Sequence, residues 1–316
     1  MCFITSKLLK NHQFLPQEGG EMTPFFFKGK EYCLENVMYS GIANREVKYN
    51  YQEDFMRIRN MENGFVISHP LVNHYFGTMI VWQDKAYIFA ANYEFSDKWW
   101  SCKKISVIYS EDLISWSAPV TVLEAQGTES LFNTSVVFCG TPENPRFIML
   151  YESNDPAYPV FTFKFAESRD LFHWNYLPGA LYGTDKYVGG PTLHWLDNMF
   201  YLTYVNEFPE AAPNGHSCSY DTRITRSKDL IHWQDAPMDR PVLRPDFTHE
   251  IDPVNHPGIF ERNASDAEFL EKNGKVYIFW NGGNQMGVGD SQTAEFDGTL
   301  LEFFKLFFPE EYCTGI

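Results

Sequence analysis

The sequence predicts an all-β protein, a five-bladed β-propeller of four-stranded blades, and three observations predict it. A seven-residue turn recurs at a spacing of about 58–59 residues: Ser110-Glu111-Asp112-Leu113-Ile114-Ser115-Trp116, Ser168-Arg169-Asp170-Leu171-Phe172-His173-Trp174 and Ser227-Lys228-Asp229-Leu230-Ile231-His232-Trp233. A fixed period of this size marks a propeller or array. About five apolar hairpins punctuate the chain, and aromatic residues make up 17% of it, which favours pleated strands.

Each unit opens on an apolar segment, turns tightly and continues as a second apolar strand. The first is Pro24-Phe25-Phe26-Phe27, Lys28-Gly29-Lys30, Tyr32-Cys33-Leu34, and the second is Met79-Ile80-Val81-Trp82 turning at Gln83-Asp84-Lys85 into Tyr87-Ile88-Phe89. Val136-Val137-Phe138 turns through Thr141 to Pro145 into Phe147-Ile148-Met149-Leu150-Tyr151, and Thr192-Leu193-His194-Trp195 turns at Asp197-Asn198 into Phe200-Tyr201-Leu202. Glu268-Phe269-Leu270 turns at Asn273-Gly274 into Val276 to Trp280. Asn, Asp, Gly and Lys at these turns supply the backbone freedom of tight hairpins. Alternation places third strands at Phe161 to Phe165 and Arg223 to Thr225. The repeated turn follows such strands in the second to fourth units. It has decayed to Phe296-Asp297-Gly298-Thr299-Leu300 in the last unit and is not found in the first. Residues 1–316 read as one propeller domain, with 1–20 an N-terminal extension able to add a closing strand.

The repeated turn is read as structural. Its Ser and Asp side chains bond backbone N–H groups across a turn, and its Leu and Trp supply apolar surface between units. The chemistry is expected where first strands start and second strands end, since these converge on one face of a propeller.

Bulk composition narrows the function. A formal net charge of −16 argues against a nucleic-acid partner, which calls for a basic patch. Cys2, Cys33, Cys102, Cys139, Cys218 and Cys313 lack zinc-site or disulfide-framework spacing and read as reduced thiols. No apolar run approaches a membrane span, so no membrane partner is expected, and the first ten residues lack a signal-peptide pattern, which predicts a cytoplasmic protein. No phosphate-cradling glycine pattern precedes a helix.

At the predicted site face the carboxylates are Glu21, which a gapless alignment of the first and last hairpins sets opposite Asp266; Glu152 and Glu207, which follow second strands; and Asp266 with Glu268, which alternation puts on one side of a strand. Paired carboxylates serve as acid and base in glycosidic cleavage. Glu152 and Glu207 qualify as acids if buried against Tyr151 and Tyr204, because desolvation raises a carboxyl pKa. His249, in the run His249-Glu250-Ile251-Asp252-Pro253-Val254-Asn255-His256, is the further proton-transfer candidate. No cofactor is expected, though His and carboxylate ligands in that run suit zinc or calcium, leaving a central divalent cation open. Substrate contacts are expected from Glu268, Asn281, Gln285, Trp280, Tyr75 and Asn133, with Tyr39, Trp99 and Trp100 as further stacking surfaces. Arg45, Arg57, Arg59 and Arg244 leave room for an anionic sugar or phosphate.

The five blades, the Ser-x-Asp-Leu-x-x-Trp turns and Gly190-Pro191-Thr192-Leu193 leading a hairpin resemble the five-bladed glycosidases, such as glycoside hydrolase families 43, 32, 117 and 130, over about residues 21 to 308. The resemblance implies an O-glycosyl hydrolase with a small-molecule carbohydrate as its partner. Family 43 typically carries an Asp opening the first blade, an Asp opening the third and a Glu just before Gly-Pro in the fourth. The matching positions here are Thr23, Asn133 and Gly189, none a carboxylate. Family 117 enzymes are thought to use a histidine as acid, which His249 resembles. The leading expectation is a glycosidase using Asp266, Glu21, Glu207, Glu152 or His249, and the alternatives are a glycan-binding propeller without catalysis and a glycoside phosphorylase.

Overall fold

The computed structural model describes residues 21–37, 54–93, 101–208, 219–285, 288–289 and 291–309. Five antiparallel sheets follow one another along the chain, the blades of a β-propeller fold, as expected. The first holds β1 (Met22–Phe27), β2 (Lys30–Val37), β3 (Phe55–Asn60) and β4 (Val66–Val72), and the second holds β5 (His74–Trp82), β6 (Lys85–Tyr93), β7 (Cys102–Ser110) and β8 (Val120–Glu124). The third holds β9 (Leu131–Phe138), β10 (Phe147–Ser153), β11 (Thr162–Ser168) and β12 (Trp174–Tyr182), and the fourth β13 (Gly189–Leu196), β14 (Met199–Phe208), β15 (Ser219–Ser227) and β16 (Trp233–Asp235). The fifth shows three strands among the described residues, β17 (Ser265–Lys272), β18 (Lys275–Asn281) and β19 (Ser291–Asp297), followed by the short helix α1 (Leu300–Lys305). The closing strand expected from residues 1–20 lies outside the described residues.

The five hairpins form where turn chemistry placed them. Lys28-Gly29, Gln83-Asp84, Asp197-Asn198 and Asn273-Gly274 all have positive φ at both residues, the two-residue turn whose twist matches its flanking strands. The remaining hairpin, between β9 and β10, closes by a longer loop pinned by a Thr141–Asn144 bridge.

The repeated turn is a hydrogen-bonded unit. In the first copy Ser110 Oγ accepts from the N–H of Asp112 and Leu113, and Asp112 Oδ1 accepts from Ile114 and Ser115 at 2.8 and 2.7 Å. The leucine is left-handed in all three copies (φ 63°, 71° and 66°), and its carbonyl accepts the indole N–H of the tryptophan three residues on. In the first blade Asn60 replaces the motif: its Oδ1 caps Glu62 and Asn63, which explains why no copy is found there. In the last blade the decayed copy is the N-cap of α1, where Thr299 and Glu302 bond reciprocally.

Two compact units, residues 21–187 and 188–309 of the described chain, each carry their own core. In the former, Leu34, Ile58, Met79, Ile88 and Leu113 pack the first two blades, and Phe89, Val107, Phe147, Met149 and Leu171 pack the second and third. In the latter, Tyr201, Phe269, Ile278 and Trp280 pack with Phe303 and Phe304 of α1.

A bulge recurs at the start of the innermost strand in four blades. Pairing runs from Tyr75↔Ala91 to Thr78↔Phe89, from Leu131↔Ser153 to Thr134↔Tyr151, from Gly189↔Val205 to Thr192↔Thr203 and from Ser265↔Asn281 to Glu268↔Phe279. Each time one extra residue stands on the innermost strand. The first residue of the bulge is Phe76, Phe132, Gly190 or Asp266 respectively, with φ of 56°, 49° and 55° at Phe76, Gly190 and Asp266. Bulges of this kind re-aim a side chain and tighten local twist.

Candidate functional site

The bulge residues differ in what they offer. In the second and third blades they are phenylalanines packed edge to face at 5.7 Å, extended by Tyr75 on one side and Phe161 on the other. Tyr75 is 1% exposed there, so its expected role as a sugar-stacking surface gives way to packing. Trp280 is likewise buried in the core with Tyr201 and Phe269, and its ring is covered on the same grounds.

In the fifth blade the bulge residue is a carboxylate. Asp266 is partly buried, and its left-handed backbone brings its side chain beside that of its neighbour, so that Ser265 Oγ donates to Asp266 Oδ2. In a regular strand adjacent side chains point to opposite faces. The bulge also resets alternation, which corrects the expectation that period two places Asp266 and Glu268 on one side. Asn281 Nδ2 lies 3.4 Å from the same Oδ2. Burial pushes the Asp266 carboxyl up from the ordinary aspartate range, outweighing the two hydrogen bonds that pull it down. Gly190 makes the room: a Cβ on it would stand 2.2 Å from Asp266 Oδ1 and 2.8 Å from a methyl of Val205. Glu268 is half-buried at the position where the other bulged blades carry Thr78, Thr134 and Thr192. Thr192 Oγ1 donates to the bulge carbonyl of Ala267 at 2.8 Å, tying the fourth blade to the fifth.

Residues 21–187 hold a separate carboxylate cluster. Asn133 Nδ2 lies 3.3 Å from Glu21 Oε1 and 3.4 Å from Glu152 Oε1, and the Asn133 N–H points to Glu152 Oε2 at 3.4 Å. Sequence reasoning named these three separately, and the fold brings them together. The two side-chain distances cap the separation of the Oε1 atoms at about 6.7 Å. Glu152 is buried, while Glu21 and Asn133 are half-buried.

The remaining candidates lie apart from these groups. Glu207 is exposed at the end of β14, touched by the Tyr220 hydroxyl at 3.4 Å, so the burial against Tyr204 that would have made it an acid is not met. The run from His249 to His256 folds as a capped loop. Asp252 holds the N–H of Asn255 and Val254, which keeps its carboxyl below the usual range, and Glu250 accepts from the Gly258 N–H. His249 is half-buried, and its carbonyl accepts from Glu261 N. Among the described residues no group of three or more His, Cys, Asp or Glu side chains could hold a metal ion. Gln285 is exposed and bonds Asn263. Arg57 and Arg59 are buried on Glu35, and Arg244 stacks on Phe208, so these three are occupied rather than poised for an anion. Tyr39, Trp99, Trp100 and Arg45 lie outside the described residues, as do Cys2, Cys218 and Cys313. Cys33, Cys102 and Cys139 are reduced thiols. No described helix is long and apolar enough to cross a membrane.

Sequence reasoning missed Ser265 and Asn263, which build the surroundings of Asp266, and the buried Asp221, held by Asn206 and Arg223. Serine and asparagine beside a strand start read as turn formers, and only the bulge turns Ser265 toward the carboxylate.

No family model and no curated protein sequence matches the chain. Solved structures do. One described as a glycoside hydrolase has a TM-score of 0.64 at 13% identity, covering 93% of this chain and 94% of its own. One from work on the GH130 family of mannoside phosphorylases, said to contain glycoside hydrolases that target β-1,2 mannosidic linkages in Candida mannan, has a TM-score of 0.58 at 11% identity, covering 90% and 85%. An N-acetylgalactosamine deacetylase from F. plautii, in complex with blood group B trisaccharide, has a TM-score of 0.62 at 10% identity, covering 95% and 98%. At these identities the likeness carries the fold alone, in line with the propeller inferred from the repeated turns.

Proposed function

We propose that the protein is a glycan-acting enzyme, a glycoside hydrolase of a small oligosaccharide, with Asp266 as its general acid. The observation that carries this reading is a carboxyl raised by burial on a left-handed bulge, at a position where a glycine on the neighbouring strand makes room for it. Perturbed titration together with backbone strain is the physical signature of a functional group. The carbohydrate-active proteins that share the fold support the substrate class. Glu21 and Glu152, gathered on Asn133, form a carboxylate pair of their own within residues 21–187.

Hydrolysis is favoured over phosphorolysis because Arg57 and Arg59 are buried and engaged by Glu35 rather than open to an anion. Incubation with a panel of oligosaccharides and aryl glycosides, with and without inorganic phosphate, tests the reading by mass analysis of products. Phosphate-independent cleavage, lost in D266N, is expected; binding without turnover, or undiminished turnover in D266N, overturns it.

A further inference from the structure

The hydrogen bonds around Asp266 run in one direction. Gln285 Nε2 donates to Asn263 Oδ1 at 2.9 Å, and Asn263 Nδ2 donates to Ser265 Oγ and to the Asn281 carbonyl, each at 2.9 Å. The Asn281 carbonyl can only accept, so it fixes which way the Asn263 amide points. Ser265 Oγ therefore receives a hydrogen from Asn263 and spends its own single proton on Asp266 Oδ2. Asn281 Nδ2 adds a second donor to that oxygen. Asn263 and Ser265 are buried, and Gln285 stands at the exposed end of the chain.

Both donors thus converge on Oδ2, while Oδ1 faces the bare Cα of Gly190. A carboxylic acid has one O–H, and an oxygen already accepting two hydrogen bonds is the poorer place for it. We propose that Ser265, oriented by Asn263 and Gln285, is a positioning residue that holds Oδ2 as acceptor, so that Asp266 carries its proton on Oδ1. The inference rests on the reading of Asp266 as the general acid. In that step the Oδ1–H bond breaks, and the proton goes to the glycosidic oxygen. The bond from that oxygen to the anomeric carbon breaks with its electron pair staying on oxygen, and the alcohol leaves neutral. Water supplies the hydroxyl to the anomeric carbon, and its remaining proton restores Asp266. The carboxylate formed in between keeps both donors on Oδ2.

Titratable or charged side chains on the strands packed against this end include Glu268 on β17, His194 on β13, Glu207 on β14, and Asp221 and Arg223 on β15, and the buried Glu261 and Arg262 lie on the segment leading into β17. Asp221 and Arg223 are paired with each other and Glu207 is exposed, so the nearest control over Asp266 is the Ser265–Asn281 pair.

The test follows Asp266 directly, by carbon-13 NMR of side-chain-labelled aspartate, its signal assigned by its loss in D266N. Ser265→Ala removes a donor to the carboxylate, so the midpoint should rise by about one to two pH units, whereas Ser265→Thr, which keeps the hydroxyl, should leave it in place. The acidic-to-basic turnover limb of kcat should move with it, at little change in KM. Should S265A fail to fold, Asn281→Ala removes the other donor and reads the same upward shift. An unmoved midpoint in the variant that folds, or a shift in S265T as large as in S265A, overturns the inference. Full activity in D266N would instead overturn the catalytic reading, leaving the titration to stand or fall by itself.

Discussion

Gly190 and Asp266 occupy equivalent bulge positions on neighbouring innermost strands, and the missing side chain of one is the space taken by the carboxylate of the other. Gly190→Ala should therefore act twice. A left-handed φ of 49° costs a non-glycine residue about 1–2 kcal/mol, and overpacking against Asp266 and Val205 costs about 1–3 more. Chemical denaturation should show a loss of about 2–4 kcal/mol, smaller in the G190A/D266A double variant because the clash partner is gone.

Asp266→Asn should separate stability from activity. The folded state holds the Asp266 proton more tightly than the unfolded chain does. That stabilisation is complete below the ordinary aspartate value and is lost as pH rises through the raised folded value. Urea melts across pH should show wild type losing stability over that rise and D266N not doing so, with D266N at least as stable as wild type at pH 7.5.

His194 gives a window of the opposite slope. Its ring lies against Phe269 and Phe304, and burial pushes its pKa down to about 4. The unfolded chain binds the proton first as pH falls, so stability should decline from pH 6.5 toward 4. In melts at pH 5 and 7.5, His194→Phe should reduce that decline by about 1–2 kcal/mol. An unchanged slope would place the acid sensitivity elsewhere.

Asn133→Asp would set a third carboxylate between Glu21 and Glu152. Like charges this close cannot all ionise freely. The variant should be close to wild type in stability near pH 4 and destabilised by about 1–3 kcal/mol at pH 8, as read by thermal melts.

Glu35 carries both Arg57 and Arg59 in the interior of the first blade. Removing one partner leaves buried charge uncompensated, so Glu35→Gln should cost about 3–5 kcal/mol, whereas Glu207→Gln, at an exposed site, should stay within about 0.5 kcal/mol.

The blades were legible in the sequence because two local signals repeat: two-residue turns that demand positive φ, as at Asn273-Gly274, and the Ser-x-Asp-Leu-x-x-Trp unit, whose serine and aspartate caps close within seven residues. The strand-start and strand-end rule also pointed to Asp266, Glu21, Glu152 and Asn133 as candidates, and the last three meet in the fold. What it missed arises from contacts that local pattern does not encode. The bulge is one extra residue in the ladder, visible only once β17 pairs with β18, and it is what breaks alternation between Asp266 and Glu268. Tyr75 and Trp280 look like sugar platforms in a list of aromatics, yet the neighbouring blades bury them. The polar run from His249 to His256 has the composition of a site, and its Asp252 turns out to bond its own backbone.

The central claim, that Asp266 donates the proton to the departing alcohol, is tested most directly by comparing kcat/KM of wild type and D266N on glycosides of one sugar with good and poor leaving groups. A dinitrophenolate needs no proton to depart, whereas an alkoxide does, and a positioned acid is worth about 10²–10⁴ in rate. The account predicts a loss in D266N of about 10²-fold or more on the alkyl glycoside and under about 10-fold on the dinitrophenyl glycoside. Equal losses on both substrates, or none on either, would contradict it.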